Sequence, residues 1–282
     1  MAAATVTSEE RRFQMHDFWR AFVLTVLCGL QLLPLLMAFF ISFKTIPQFS
    51  RVPFLPTLPL HWENYLSAWE IVRLFLFNTV FVSGLTVVGV LALGSLAAYS
   101  FAILRYPGRE FLFYLVLALM MVPATLTLIP SFVLVKNLEL LNTRWSLILP
   151  WIASGQVFAI FILRTYLQSL PSELFDAARI DGASEWQGYF MIALPMSKSM
   201  LGVAAILNIL GTWNNLIWPA LTISQLERQT LTPGLWSYQV ENFTRYGFLM
   251  AGLLIGSVPL IVLFFFTSRW FVEGLTSGAI KV

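Results

Sequence analysis

The chain has 282 residues, of which 58% are hydrophobic and only 11% charged. Soluble domains carry about 25% charged residues, so a water-soluble core is excluded and much of the apolar surface must face lipid or other membrane helices. The net charge of +3 is too small to point to nucleic acid, and the basic residues read instead as topology signals.

The first 17 residues are polar and mixed in charge, with His16 among them. The apolar run that follows is longer than the roughly 7–15 residues of a signal-peptide core. It reads as an uncleaved first membrane helix over Phe18–Phe43, with the lone cysteine, Cys28, inside it. One cysteine allows no intramolecular disulfide and no multi-thiolate metal site. The second histidine, His61, also lies outside the apolar runs, so no metal site is expected. A second span is predicted over Phe77–Leu104, followed by the short basic loop Arg105-Tyr-Pro-Gly-Arg109.

The third span, Phe111–Val135, contains Pro123 and Pro130. Each proline removes a backbone donor and bends or breaks a helix. In a membrane such a break survives where neighbours or a cavity satisfy the freed carbonyls. The pair marks either a packing kink or a moving, cavity-lining helix. The remaining spans are predicted over Trp145–Tyr166, Leu201–Ile223 and Phe248–Phe271. The chain therefore reads as one all-α transmembrane domain over 1–282 with six helices and no repeat. The distribution of Arg and Lys favours both termini on the cytoplasmic side. A Gly252/Gly256 pair in the last span has the spacing for close helix contact.

No Asp or Glu falls in the six cores. Gradient-driven transporters commonly use intramembrane carboxylates, so an ion-coupled mechanism is disfavoured. None of the sixteen glycines precedes a lysine, so the chain has no phosphate-binding loop. It is not expected to be an enzyme, and any ATP-driven step belongs to another polypeptide.

The longest inner loop, 167–199, is the most informative segment. Ser172 is placed to cap a short helix, and Gly182 to end it in a left-handed conformation. Ser184 and Gln187 have capping-box spacing for a second helix, which Pro195 limits. Leu174, Ala177, Ala178 and Asp181 form one small, smooth face, flanked by Asp176, Arg179 and Glu185. Such a helix suits a partner's groove. It equally suits an interfacial hairpin on the lipid headgroups.

The segment resembles the EAA loop of ABC importer permeases. That pattern is E-A-A, three residues, glycine, nine residues, then I-x-L-P. This sequence has Asp176-Ala177-Ala178, Gly182 and Ile192-Ala193-Leu194-Pro195 at the same spacing, with Asp for the leading Glu. Tyr106-Pro107-Gly108-Arg109-Glu110, Leu128-Ile129-Pro130, Leu141-Asn142-Thr143, Leu147-Ile148-Leu149-Pro150 and Trp213-Asn214 with Pro219 extend the likeness to carbohydrate permeases of the maltose/glycerol-phosphate type. The tail, 272–282, resembles that of the maltose-permease G-type subunit, with Val282 in place of the usual final residue.

The resemblance implies a type I permease fold in a bacterial or archaeal cytoplasmic membrane. Its implied partners are a second permease, two ATPase subunits carrying ATP and Mg, and an extracytoplasmic solute-binding protein. Asp176, Ala177, Ala178, Arg179, Asp181, Gly182 and Ala183 would couple ATPase closure to the pore. The cargo implied is a di- or oligosaccharide or related neutral solute. A glycerol-phosphate, polyamine or amino-acid permease is the alternative, although polyamines would favour acidic and phosphates basic cavity residues.

Asn208, Thr212 and Asn215 share a face of the fifth span. With Asn78, Gln156, Trp213 and Asn214 they are candidates for the solute pathway, since unpaired amides are costly in lipid. Trp213 or Trp218 could offer a stacking face to a sugar. The same polar groups could instead serve interhelical hydrogen bonds. The outer segment from Ser224 to Arg245, with Trp236, Tyr238 and Phe243, fits either a binding-protein contact or an aromatic belt.

Overall fold

A computed structural model describes residues 8–241 and 245–277, so the end of the tail and Phe243 lie outside the described residues. The described residues form helices and turns, with no strand. In chain order the helices are α1 (Ser8–Ser42), α2 (Ile46–Arg51), α3 (Glu63–Ala102), α4 (Arg109–Ala118), α5 (Ala124–Asn137), α6 (Trp145–Gln168), α7 (Glu173–Ile180), α8 (Glu185–Gln187), α9 (Leu194–Met196), α10 (Lys198–Trp213), α11 (Ile217–Thr222), α12 (Leu231–Glu241) and α13 (Tyr246–Ser277).

Four helices are long and apolar enough to cross a membrane: Asp17–Ser42 within α1, all of α3 and α6, and Tyr246–Ser268 within α13. Two bent pairs qualify only when joined. Arg109–Met121 meets α5 at 98°, and Glu185–Met196 meets α10 at 73°. The first bend falls at Pro123, whose extended backbone (φ −60°, ψ 131°) precedes α5. Pro130 and Pro150 are carried inside continuous helices, so only one of the two prolines in the third predicted span breaks it. The second helix begins at Glu63 rather than Phe77. Hydropathy marks only the apolar part of a helix, and α3 continues through Glu63, Glu70 and Arg73.

The chain divides into two compact units. The first comprises 1–69 and 242–255. It centres on Phe43, whose ring lies 4.7 Å from that of Trp62 and 5.0 Å from that of Tyr65. Lys44 is buried, and its ammonium donates to the carbonyls of Val52, Pro53 and Leu55. Loss of solvent there pushes the lysine pKa below its ordinary range.

The second unit comprises 70–241 and 256–282. Glycines decide its helix packing. A Cβ on Gly89 would collide with Ile152, and one on Gly94 would lie 3.0 Å from that of Ala159. Asn78 meets Arg144 at one end, and Phe101 meets Arg164 at the other. Residue numbers rise together along both helices, so α3 and α6 run parallel. An odd number of crossings must separate two parallel neighbours. α4 begins at the Arg164 end, where Glu110 pairs with it, and α5 ends where Val135 joins Leu147 and Ile148. The bent α4–α5 pair is therefore one crossing. α10 runs antiparallel to α6: a Cβ on Gly155 would sit 2.5 Å from Asn208 Nδ2 and 2.8 Å from Val90 Cγ2. Beyond it, the Trp218 indole N–H donates to the Ser146 carbonyl at 2.9 Å. Gly256 of α13 packs against Leu231 of α12, so that half of the glycine pair serves contact within the chain.

Replacing Gly155 by Val should cost about 1–3 kcal/mol of overpacking. Gly84→Ala, where an added Cβ meets open space, should be neutral or stabilising. Thermal unfolding of the two purified variants in detergent checks the contrast.

Candidate functional site: a hairpin at one end and an uncharged cavity within

The 169–197 segment connects the end of α6 to the start of α10. Gly182 adopts φ +85°, a left-handed geometry that ends α7. The Ser184/Gln187 capping box is formed in both directions. Ser172 precedes α7 in helical conformation and makes no side-chain cap, so the start of that helix is held otherwise than expected. Phe175 supplies the anchor, buried with Tyr99, Leu163, Leu167 and Tyr189.

With Phe175 inward, the opposite face of α7 is bare. Leu174, Asp176, Ala177 and Asp181 are exposed, and Ile180 is 87% exposed. Ala178, Arg179 and Ala183 are half-buried. Arg179 donates to Asp176 Oδ1 and to Glu185 Oε1, each at 3.1 Å. The Glu185 hydrogen bond, and then the nearby negative charge, raise the Arg179 pKa against partial desolvation.

Above the hairpin, a cavity of about 430 Å³ lies between α3, α6 and α10, lined by Trp151, Ser154, Asn208, Thr212 and Asn215 among others. A second, of about 690 Å³, shares Trp151, Ser154, Gly211 and Asn215 and extends past Thr127, Ser131, Asn214 and Trp218. No charged side chain lines either one. Asn208 Oδ1 and Gln156 Nε2 are buried without a hydrogen-bond partner. A mostly apolar wall carrying a few uncharged amides and hydroxyls is a lining that can take an uncharged solute.

Of the pathway residues singled out in the sequence, Gln156 lies outside both linings, and the others fall into two groups. Asn208, Thr212, Asn214 and Asn215 line the cavities. Trp213 is buried outside both linings, and its carbonyl accepts from Thr232. Asn78 is 0% exposed and spends its amide on structure. Its Nδ2 donates to the Glu227 and Gln229 carbonyls at 2.8 and 3.0 Å, and its Oδ1 accepts from Arg144 at 2.9 Å. Asn142, at φ 58°, binds the same region: its Oδ1 accepts from the Ser224 backbone at 2.7 Å.

One cluster escaped sequence reasoning. Arg164 is 7% exposed, donates to both oxygens of Glu110 and to the Phe101 carbonyl, and lies 3.7 Å above the Phe113 ring. Arg164 falls near the end of the predicted fourth span, and no periodic signal links it to a residue 54 positions away.

Residues 90–277 match the family described as the binding-protein-dependent transport system inner membrane component. The chain belongs to this family and is a multi-pass inner-membrane transport subunit. It is 32% identical over 99% of its length to the diacetylchitobiose uptake permease NgcG of Streptomyces coelicolor, covering 93% of that protein. It is 39% identical to the arabinooligosaccharides permease AraQ of Halalkalibacterium halodurans, over 72% of each chain. It is 34% identical to the lactose permease LacG of Rhizobium radiobacter, over 74% of this chain and 76% of that one. A bacterial ABC transporter involved in the import of alginate shares the fold, with a TM-score of 0.79 at 20% identity, covering 95% of this chain and 100% of that one. These likenesses agree with the all-helical permease fold read from the EAA-type spacing.

Asn78→Leu should leave the buried Gln229 carbonyl and the Arg144 guanidinium short of a partner, at about 1–3 kcal/mol. The expected outcome is a lower melting temperature of the purified protein. Asn214→Leu, on the cavity wall, should leave the melting temperature nearly unchanged.

Proposed function

We propose that this chain is a membrane-spanning permease subunit of an ATP-binding-cassette importer, carrying a di- or oligosaccharide or related neutral solute across the cytoplasmic membrane. The observation that carries the reading is the bare face of α7. An exposed Ile180 beside Leu174 and Ala177, on a helix whose other side is locked by Phe175, is an apolar surface prepared for a protein partner. The EAA-type spacing makes that partner an ATPase subunit, which holds ATP and Mg, with a second ATPase on a second permease. Asp176–Ala183 then form the mechanical contact. The chain has no phosphate-binding loop of its own, so hydrolysis belongs to the partner. A solute-binding protein delivers cargo on the opposite side. In a neighbour of the same fold, an alginate transporter was captured with an alginate pentasaccharide-bound periplasmic protein.

The cargo class is supported by the relatives, which are permeases for diacetylchitobiose, arabinooligosaccharides and lactose. A 30% identical relative, UgpE of Yersinia enterocolitica, is an sn-glycerol-3-phosphate permease. The uncharged lining favours the neutral solute, because a phosphate bound here would lack the Arg or Lys that usually pairs with it. Asn208, whose Oδ1 is buried without a partner, is the group best placed to meet its hydroxyls, with Ser154, Asn214 and Asn215 beside it.

Ala178→Glu should insert normally but lower ATP-dependent uptake about tenfold or more, since each 1.4 kcal/mol lost at the contact is a factor of ten. Uptake and ATPase activity in vesicles check this, and full activity would remove α7 from the coupling role. Asn215→Leu should lower uptake while leaving ATPase assembly intact. Uptake that survives ATP depletion but stops when ion gradients are collapsed would contradict the proposal as a whole.

A further inference from the structure

The coupling helix has to be fixed to a pore helix if its movement is to reach the pore. Glu185 is the residue that makes the fixture. Its two carboxylate oxygens serve different donors. Oε1 accepts from Arg179 of α7 at 3.1 Å, and Oε2 accepts from the Tyr99 hydroxyl of α3 at 2.9 Å. One turn earlier on α3, Ser95 Oγ and the Tyr189 hydroxyl share a hydrogen bond of 2.7 Å. Residues four apart lie on one helix face, so two ties a turn apart join α3 to the 185–189 segment. That segment continues as a π-helix, Gly188–Ala193, a form of helix frequent at functional sites.

Magnitudes separate this arrangement from ordinary stabilisation. The Arg179–Glu185 pair is 35% and 49% exposed, and such surface pairs contribute little to stability. Tyr99 is only 5% exposed, so its hydroxyl has one partner to lose and no bulk water to replace it. Gly188 makes the geometry possible: a Cβ there would lie 2.8 Å from the Tyr99 hydroxyl. The network thus constrains position from α7 through Glu185 to α3, chiefly through the buried Tyr99 hydroxyl.

We propose that Glu185 and Tyr99 are positioning residues that bind the coupling hairpin to α3, so that the two move as one body when the ATPase closes. This rests on the reading of α7 as the ATPase contact. The assembled complex, with Cys28→Ser, would carry nitroxide labels at Ser172→Cys on the hairpin and Val88→Cys on α3. The distance between them would be measured without nucleotide and with ATP and vanadate. The unmodified network should give one narrow distance in both states. Tyr99→Phe, which keeps the ring, and Glu185→Gln, which offers one acceptor to two donors, should match it without nucleotide. Both should shift and broaden the distance with ATP and vanadate. The double variant should go no further than either alone, as expected for members of one network. Gly188→Ala should behave like Tyr99→Phe. Variants indistinguishable from the parent with ATP and vanadate, additive effects, or a parent distance that itself changes with nucleotide would overturn the proposal. An ATPase that does not co-purify even with the parent chain would instead defeat the coupling reading beneath it.

Discussion

The close parallel contact of α3 and α6 sets the rest of the second unit. Gly89 and Gly94 let α3 approach Ile152 and Ala159 with no side chain between. α6 has 24 residues and spans about 36 Å at 1.5 Å per residue. The contact therefore defines two ends a membrane's thickness apart. Each end is closed by an arginine of α6 or its cap: Arg144 on Asn78, and Arg164 on Glu110. Everything else hangs on this pair. The broken α4–α5 crossing returns along it, and α10 lies against α6 through Gly155.

The same constraint separates the chemistry by depth. Backbone and side-chain polar groups within the hydrocarbon must find partners inside the protein or in a cavity. Charged pairs accordingly gather at the ends. Between them remain amides and hydroxyls, some satisfied across helices, as Thr212 is by Ser83 at 2.9 Å. Others, such as Asn208 Oδ1, are left open at a cavity wall. A carbohydrate importer needs this division: an uncharged route, with charged groups kept to its ends.

Much of this was legible in the sequence because its physics is local. Six apolar runs follow from length and composition. Gly182 and the Ser184/Gln187 box follow from backbone preference, and the chain adopts both. Of the two prolines in the third predicted span, the large bend falls at Pro123 because α5 starts immediately after it, whereas Pro130 is absorbed in a helix. What stayed hidden is what depends on which helices meet. Asn78 reads as a free amide until the loop near Gln229 is known to lie over it. Glu110 and Arg164, or Tyr99 and Glu185, become partners only after the parallel packing of α3 and α6 is fixed. The start of α3 was also obscured, since charged turns beyond the hydrocarbon remain helical without an apolar signal.

The proposed role of α7 is that of a cytoplasmic helix docked on an ATPase. Its most direct test is a single cysteine at Ile180 in a Cys28→Ser background, studied in intact cells and in the purified complex. A membrane-impermeant thiol reagent added outside should not label it, and it should cross-link to an ATPase subunit with a yield that changes with ATP. Ready labelling from outside, or a complex in which Ile180 cross-links to no nucleotide-binding subunit in any state, would contradict it.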